Sequence, residues 1–165
     1  MKRIMPVIVT LFIIHLSPVF AQNDSTKKEG SGNVGKFDPK RDAAKDVRDA
    51  IVEATKTGKR ILLDVGGEWC IWCHRLDTLF MQNKDLEEYR NAHYVVVKIN
   101  FSKDNVNEEF LSKYPKIEGY PHLFVLEKDG KLLQSQDTGA LESGKHHDHD
   151  KVLAFLEKWA AKKGE

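Results

Sequence analysis

The sequence is poor in cysteine, with only two among its 165 residues. This excludes a framework of several disulfides, because two cysteines can form just one bridge. A bridge between Cys70 and Cys73 would close so small a ring that it removes little conformational entropy from the unfolded chain. Structural cross-linking is therefore a weak explanation for this pair, and the chain is long enough to bury a core without it.

The sequence also lacks a marked excess of charge of either sign, with 26 basic and 25 acidic residues. Loss of residues 1–21 would remove two basic residues, Lys2 and Arg3, and no acidic residue, which leaves 24 basic residues against 25 acidic ones. A nearly neutral chain has no basic field to attract nucleic acid and no patterned cationic helix for a membrane surface. We therefore expect no nucleic-acid partner, and recognition of other partners by shape and thiol chemistry.

Long hydrophobic runs are missing as well. The main apolar run extends from Ile4 to Leu16 and is closed by Pro18, whereas a membrane-spanning helix needs about 20 apolar residues. Residues 19–21, Val-Phe-Ala, place small residues where a signal peptidase cleaves. We predict that residues 1–21 are a signal peptide removed on export, so that the protein is periplasmic or secreted. An uncleaved membrane anchor is the alternative.

The two cysteines stand in residues 69–74, Trp-Cys-Ile-Trp-Cys-His, directly after the apolar run 61–65 and directly before a helical pattern. A Cys-x-x-Cys pair at the junction of a strand and a helix indicates a dithiol that opens and closes in redox chemistry. Two inert buried thiols are the alternative, but structural cysteines need neither this spacing nor a helix start.

Hydrophobic periodicity predicts the element order α, β, α, β, α, β, β, α after a flexible polar leader at residues 22–36. Strands separated by helices imply a parallel core, and a terminal hairpin adds an antiparallel edge. The predicted domain of residues 37–163 is therefore an α/β fold. Its predicted elements are a helix with its N-cap at Asp38 and its end at Gly58, a strand at 60–65, a helix at 70–81 with a further turn at 86–89, a strand at 94–101, a helix at 105–114, strands at 122–126 and 131–136 around an Asp129-Gly130 turn, and a helix spanning 152–159.

Several separate motifs resemble the thioredoxin family, over a stretch from about Lys59 to the last helix. They are the strand 61–64 with an acid six residues before the first cysteine, the strand 97–100 with its lysine, and the segments 119–121 (Gly-Tyr-Pro), 129–131 (Asp-Gly-Lys) and 138–140 (Thr-Gly-Ala). The resemblance implies a thioredoxin fold, with a central mixed sheet of four to five strands flanked by helices. The sequence departs from the family's commonest pattern between the cysteines, where Ile71 and Trp72 replace Gly-Pro, and at His74.

The predicted place of Cys70 is the start of a helix, where free backbone amides and the helix dipole favour a thiolate. We assign Cys70 as the attacking nucleophile and Cys73, one turn further along, as the resolving thiol. Asp64 is a carboxylate in an apolar strand, where burial would raise its pKa. The resemblance favours a role for it in taking the proton from Cys73, against a solvated acid at a strand end. Lys98 is expected to tune that acid, unless it reaches water instead.

The family has a cis-proline facing its dithiol at the position of Pro121. The resemblance therefore implies that the Tyr120 backbone pairs with an extended substrate segment. A trans-proline before a strand is the alternative. Trp69 and Trp72 are expected to form an apolar rim for substrates, although packing against the core would explain either residue.

Two other classes of function stay open. Cys70, Cys73 and His74 also match the signature of covalent c-type haem attachment, which would make the protein an electron carrier. A redox-inactive thioredoxin-like binding module, with an incidental dithiol, is the other alternative. Residues 146–150, His-His-Asp-His-Asp, carry metal-ligand side chains, but we expect a solvated loop in which Asp148 or Asp150 caps the last helix, and no metal site.

Together these features predict an exported thiol-disulfide oxidoreductase, an enzyme that reduces or isomerises protein disulfides through the dithiol of Cys70 and Cys73. We expect it to act as a monomer without a bound cofactor, because the dithiol itself carries the electrons. Outside the cytosol the dithiol needs electrons from elsewhere. The expected partners are therefore disulfide-bearing protein substrates and a membrane thiol electron donor.

Overall fold

A computed structural model describes residues 35–162 of the protein. The predicted signal peptide at 1–21 and the leader up to residue 34 lie outside the described residues. The elements are α1 (Ala43–Thr57), β1 (Arg60–Gly66), α2 (Ile71–Gln82), α3 (Lys84–His93), β2 (Tyr94–Asn100), α4 (Glu108–Leu111), β3 (His122–Leu126), β4 (Leu132–Asp137), a single 3-10 turn (Thr138–Leu141), β5 (Glu142–Ser143), β6 (His146–His147) and α5 (His149–Trp159).

Four strands form a mixed sheet in the order β2-β1-β3-β4. β1 runs parallel to β2, whereas the central pairing of β1 with β3 and the edge pairing of β3 with β4 are antiparallel. β1 and β2 are buried along almost their whole length because helices cover both faces of the sheet. The structure therefore confirms the predicted α/β architecture of a mixed central sheet flanked by helices.

The alternation of side chains along β1 separates two hydrophobic layers. Ile61, Leu63 and Val65 pack with α1 and α4, whereas Leu62 packs with α2, α3 and α5 on the opposite face. Asp64 follows Leu62 by two residues and so points to the face that α2 covers. The alternation of side chains along β1 therefore places Asp64 beneath α2, the helix that begins at the cysteines.

The first helix begins later than its sequence signals predicted. Asp42, and not Asp38, is the N-cap of α1, because its side chain accepts a hydrogen bond from the Lys45 N–H. Asp38 instead closes a separate turn, in which its carboxylate accepts from the Lys40 N–H. The predicted end is confirmed, since Gly58 has a φ of 70° and donates its N–H to the Ala54 carbonyl.

The predicted helix at 105–114 is wrong in length, since α4 spans only Glu108–Leu111. Asparagine side chains compete with the helix for backbone groups in this segment. The Asn105 side chain accepts from the Asn107 N–H, and the Asn100 amide donates to the Asn105 carbonyl. Asn107 has a φ of 48°, so the helix starts only after it. Within residues 35–162, none of the helices is long and apolar enough to cross a lipid bilayer.

Candidate active site

The two cysteines lie at the start of α2 and are joined to each other as a disulfide, with their Cα atoms 5.2 Å apart. Cys70 is the N-cap residue of α2, and its sulfur accepts a hydrogen bond from the Cys73 N–H at 3.2 Å. The free amides and the positive end of the helix dipole therefore surround the Cys70 sulfur, which favours negative charge there once the bridge is reduced. Cys70 is 4% exposed and Cys73 only 1%.

The Tyr120–Pro121 peptide bond is cis, as the resemblance implied. The Tyr120 carbonyl oxygen lies 3.5 Å from the Cys70 sulfur, so this loop faces the disulfide directly. Thr138 holds the loop from behind, because its hydroxyl donates to the Pro121 carbonyl at 2.6 Å. An extended chain that paired with the Tyr120 backbone would thus pass beside the reactive sulfur.

Asp64 and Lys98 are opposite each other in the register of β1 and β2. Lys98 Nζ lies 3.2 Å from Asp64 Oδ2 and only 2.6 and 2.8 Å from the two oxygens of Asp77 on α2. The Lys98 side chain is 3% exposed, so the alternative of a lysine that reaches water is wrong. Its ammonium is shared between two carboxylates and held most closely by Asp77.

The environment of Asp64 opposes its ionisation. Burial raises the pKa of Asp64, and the nearby charge of Lys98 offsets this effect only in part. Its Oδ1 atom is buried and has no hydrogen-bond partner among the described residues. Although burial disfavours charge on Lys98 too, Asp64 and Asp77 together raise the pKa of that amine. The site thus combines a buried acid that retains a proton readily with a permanent cation.

Asp64 shares one face of β1 with the resolving cysteine. A Cβ atom added at Gly66 would collide with the Cys73 sulfur, so that sulfur lies against the backbone at Gly66. Side chains two residues apart on a strand point to the same face. The Asp64 carboxyl group therefore lies one pleat away from the Cys73 sulfur, in the same buried layer.

The two tryptophans of the motif have different environments. Trp69 is 59% exposed, and together with Ile71, which is 60% exposed, it forms an apolar rim beside the disulfide. Trp69 donates its indole N–H to the Phe101 carbonyl at 2.7 Å and meets the Tyr120 ring edge-on. Trp72 instead packs inward, with a ring contact to His147 and the Arg75 guanidinium over its face. The rim prediction therefore fits Trp69, and the packing alternative fits Trp72.

A cavity of about 670 Å³ opens beside the rim, between Trp69, Phe101 and the segment that precedes α1. A second cavity of about 490 Å³ lies on the other side of Phe101, against Tyr120 and Ile117. Phe101 lines both cavities, and its ring stacks on the Tyr120 ring with the centroids 4.7 Å apart. The two cavities are large enough for apolar side chains of a substrate that flank its disulfide.

A family model described as thioredoxin-like matches residues 42–128, which is more than half of the chain. The chain belongs to the thioredoxin-like family. A solved structure named as a disulphide isomerase, from Xylella fastidiosa Temecula1, is 28% identical with a TM-score of 0.65, and the match covers 74% of this chain and 94% of that one. The C-terminal domain of Neisseria meningitidis DsbD, in its oxidised form, shares the fold with a TM-score of 0.56 at 18% identity, over 76% of this chain and 99% of that one. These likenesses confirm the thioredoxin fold.

Two curated members match more limited stretches. Disulfide bond reductase DsbH of Chlamydia pneumoniae is 26% identical over 80 residues, which is 44% of this chain and 48% of that protein. Thiol:disulfide interchange protein DsbD of Pseudomonas fluorescens is 28% identical over 117 residues, which is 69% of this chain and 18% of that protein. The chain thus spans about half the length of the first relative and about a fifth of the second.

Two residues of this thioredoxin-like site, Asp77 and Phe37, were not predicted from the sequence. Asp77 follows Cys73 by four residues, so the helical period that places both on one face of α2 could have revealed it. Phe37 is buried in one cluster with the two cysteines. Its signal was weaker, since it is a single aromatic residue at the end of a polar stretch.

Residues 146–150, which were predicted to form a solvated loop, are in part buried. Asp148 caps α5 as predicted, by accepting from the Lys151 N–H, but His147 is fully buried in β6. His149 is bound between Asp85 and Asp150. Within the described part of the chain, no group of three or more potential ligands is arranged to hold a metal ion. His74, which directly follows Cys73, places its Nε2 atom 2.8 Å from the Glu68 carbonyl oxygen.

Proposed function

We propose that the protein is an exported thiol-disulfide oxidoreductase that reduces or isomerises protein disulfides through Cys70 and Cys73. The observation that supports this most is the combination of three features around one sulfur. Cys70 lies at a helix N-terminus, it faces the Tyr120 carbonyl, and its partner Cys73 lies on the same face of β1 as the buried acid Asp64. The names of the reductase and interchange relatives agree with this activity.

Reduction begins with the dithiol form. The Cys70 thiolate attacks one sulfur of a substrate disulfide, so that a mixed disulfide forms and the second substrate sulfur leaves as a thiolate. The helix amides stabilise the attacking sulfur as an anion. Cys73 stays protonated at this stage, because it is buried below its neighbour and burial disfavours the thiolate.

Resolution requires that Cys73 lose its proton. The Asp64 carboxylate accepts this proton, and its raised pKa makes it a stronger base than a solvated aspartate. The Cys73 thiolate then attacks the Cys70 sulfur, which closes the Cys70–Cys73 disulfide and releases the substrate with both sulfurs reduced. If a second substrate thiol attacks the mixed disulfide first, the substrate leaves with a rearranged disulfide.

Each reduction leaves the protein as the disulfide, and a dithiol donor must reduce it again. For an exported protein this donor is a membrane thiol electron donor. Protein substrates approach over the rim of Trp69 and Ile71, and a substrate segment pairs with the backbone at Tyr120 beside Pro121. We propose that residues 37–163 act as one monomeric domain after removal of residues 1–21.

The test is reduction of a protein disulfide by the purified protein, with dithiothreitol as the electron donor and the Cys70→Ser and Cys73→Ser variants as controls. We expect activity only from the chain with both cysteines, and trapping of a mixed disulfide by Cys73→Ser. Equal activity of all three proteins would contradict the proposal. The reduction potential of the pair distinguishes reductase from isomerase, and the mass of the protein recovered outside the cytosol tests removal of residues 1–21.

A further inference from the structure

The segment before α1 reaches into the site. This N-terminal strap, residues 35–42, is mostly exposed, but Phe37 within it is only 2% exposed. Burial of an aromatic ring is favourable in proportion to the apolar area removed from water, so the ring holds the strap against the domain. The strap does not belong to any helix or strand, so the burial of Phe37 does not arise from packing of a helix or strand face.

The Phe37 ring forms one wall of the pocket around the buried acid. It packs in a cluster with Cys70 and Cys73. It lies so close to the backbone at Gly66 that a Cβ atom there would come within 3.1 Å of the ring. The Lys98 ammonium lies over the ring, 4.0 Å from its centroid. One ring therefore packs in the cluster of the two cysteines and lies against the cation that Asp64 and Asp77 share.

Two hydrogen bonds tie the strap to the loops on either side of the site. The Phe37 N–H donates to Glu68 Oε1 at 2.8 Å, and Glu68 stands two residues before Cys70. The Asn105 side-chain amide donates to the Pro39 carbonyl at 2.9 Å. These contacts fix the position of the ring, because the backbone on both sides of it is held.

We propose that Phe37 is a positioning residue whose ring keeps water out of the pocket that contains Asp64, Lys98 and Cys73, so that the strap controls proton transfer from Cys73 to Asp64. This inference rests on the proposed function, in which Asp64 accepts that proton. Phe37 carries no group that could take the proton, and it acts through the acid and the lysine.

The physical reason lies in the balance of effects on Asp64. Burial is the largest influence on its pKa, and the charged groups that face it are Lys98 from β2, Asp77 from α2 and Arg90 from α3. A smaller side chain at position 37 leaves all of these charges in place but admits water to the pocket. Solvation of the carboxylate would then lower its pKa, and the ammonium would lose the contact with the ring face.

The experiment follows the Asp64 carboxyl group by carbon NMR across pH in the full exported chain, for the wild type, Phe37→Ala and Phe37→Leu. We expect Phe37→Ala to increase the acid dissociation constant of Asp64 about tenfold, which is one pKa unit. Phe37→Leu keeps most of the volume without the ring and should give a smaller increase in the same direction. Should Phe37→Ala fail to fold, Phe37→Leu still carries the test.

Phe155 on α5 provides the matched control, since it is also a buried phenylalanine but lies in a different cluster. Phe155→Ala should reduce stability and leave the Asp64 titration unchanged. If Phe37→Ala and Phe37→Leu leave the titration midpoint where it is, or if Phe155→Ala moves it equally, Phe37 is merely structural and the inference is wrong.

A kinetic arm separates this inference from the proposed function. The rate at which the mixed disulfide resolves is measured against pH for the wild type, Phe37→Ala and Asp64→Asn. We expect the Asp64-dependent limb of the profile to shift to lower pH in Phe37→Ala and to disappear in Asp64→Asn. If Asp64→Asn leaves the profile unchanged, the role of Asp64 as proton acceptor fails and the control of proton transfer by the strap fails with it. A normal Asp64 dependence without a shift in Phe37→Ala overturns the strap inference alone.

Discussion

The charge on Asp64 is predicted to cost the protein stability at neutral pH. Asp64 Oδ1 is buried without a hydrogen-bond partner among the described residues, and Oδ2 is 3.2 Å from Lys98. In Asp64→Asn the charge disappears but the shape is kept. Lys98 is not left unpaired, because Asp77 still binds it at 2.6 and 2.8 Å. We therefore expect Asp64→Asn to increase the free energy of unfolding by about 1–3 kcal/mol at pH 8.

The sign of the pH dependence follows from the raised pKa of Asp64. The folded state binds the proton more tightly than the unfolded state, so the wild type loses stability as pH rises through the folded pKa. Below the ordinary aspartate pKa of 3.8 both states are protonated, and the two proteins should be equally stable. The advantage of Asp64→Asn should thus be absent in acid and grow to a plateau at high pH, by about 1.4 kcal/mol for each pKa unit of the shift.

Urea unfolding of the oxidised proteins at a series of pH values measures this difference. Comparison at each pH cancels the titration of all other groups. Asp49→Asn is the control, because Asp49 is a surface residue paired with Lys45, which lowers its pKa, so its replacement should bring no gain. An Asp64→Asn protein no more stable than the wild type at pH 8, or more stable by the same amount at every pH, would refute the argument.

Three further predictions concern neighbouring parts of the site. Gly66→Ala places a Cβ against the Cys73 sulfur and should lower the free energy of unfolding by about 1–3 kcal/mol in urea. Gly119→Ala is the control and should cost little, because there is open space around its Cβ. Equal losses of stability in the two variants would contradict the close contact. Burial lowers the pKa of His147 to about 4, so the protein should lose up to about 3 kcal/mol of stability as pH falls from 6.5 to 4. His147→Phe should abolish that part of the acid sensitivity, and unchanged sensitivity would exclude His147 as its source. Trp69→Ala should lower kcat/KM for a protein disulfide about fivefold or more while leaving a small disulfide unaffected, and an equal loss on both would show that the rim does not bind the protein chain.

The sequence was sufficient for the parts of the fold that depend on local pattern. The apolar run after Arg60 predicted a strand buried on both faces, and β1 is that strand. The Cys-x-x-Cys spacing before a helical pattern placed Cys70 at a helix start, and the structure has it as the N-cap. The neighbours of Asp64 indicated that burial would raise its pKa but left a solvated acid at a strand end as an alternative. The family resemblance favoured the buried acid, and the structure shows Asp64 buried with a raised pKa.

The remaining features depend on contacts between residues that are distant in the chain. Trp69 and Trp72 each stand directly before a cysteine in the sequence, yet Trp69 is exposed, whereas Trp72 packs against His147, 75 residues further along. The Phe37 ring lies over Lys98 because the strap folds back across β1 and β2. Local periodicity reports which residues are buried, but it carries no information on what they are buried against. That is set by how the strands and helices pack, and the proton chemistry proposed for this site depends on it.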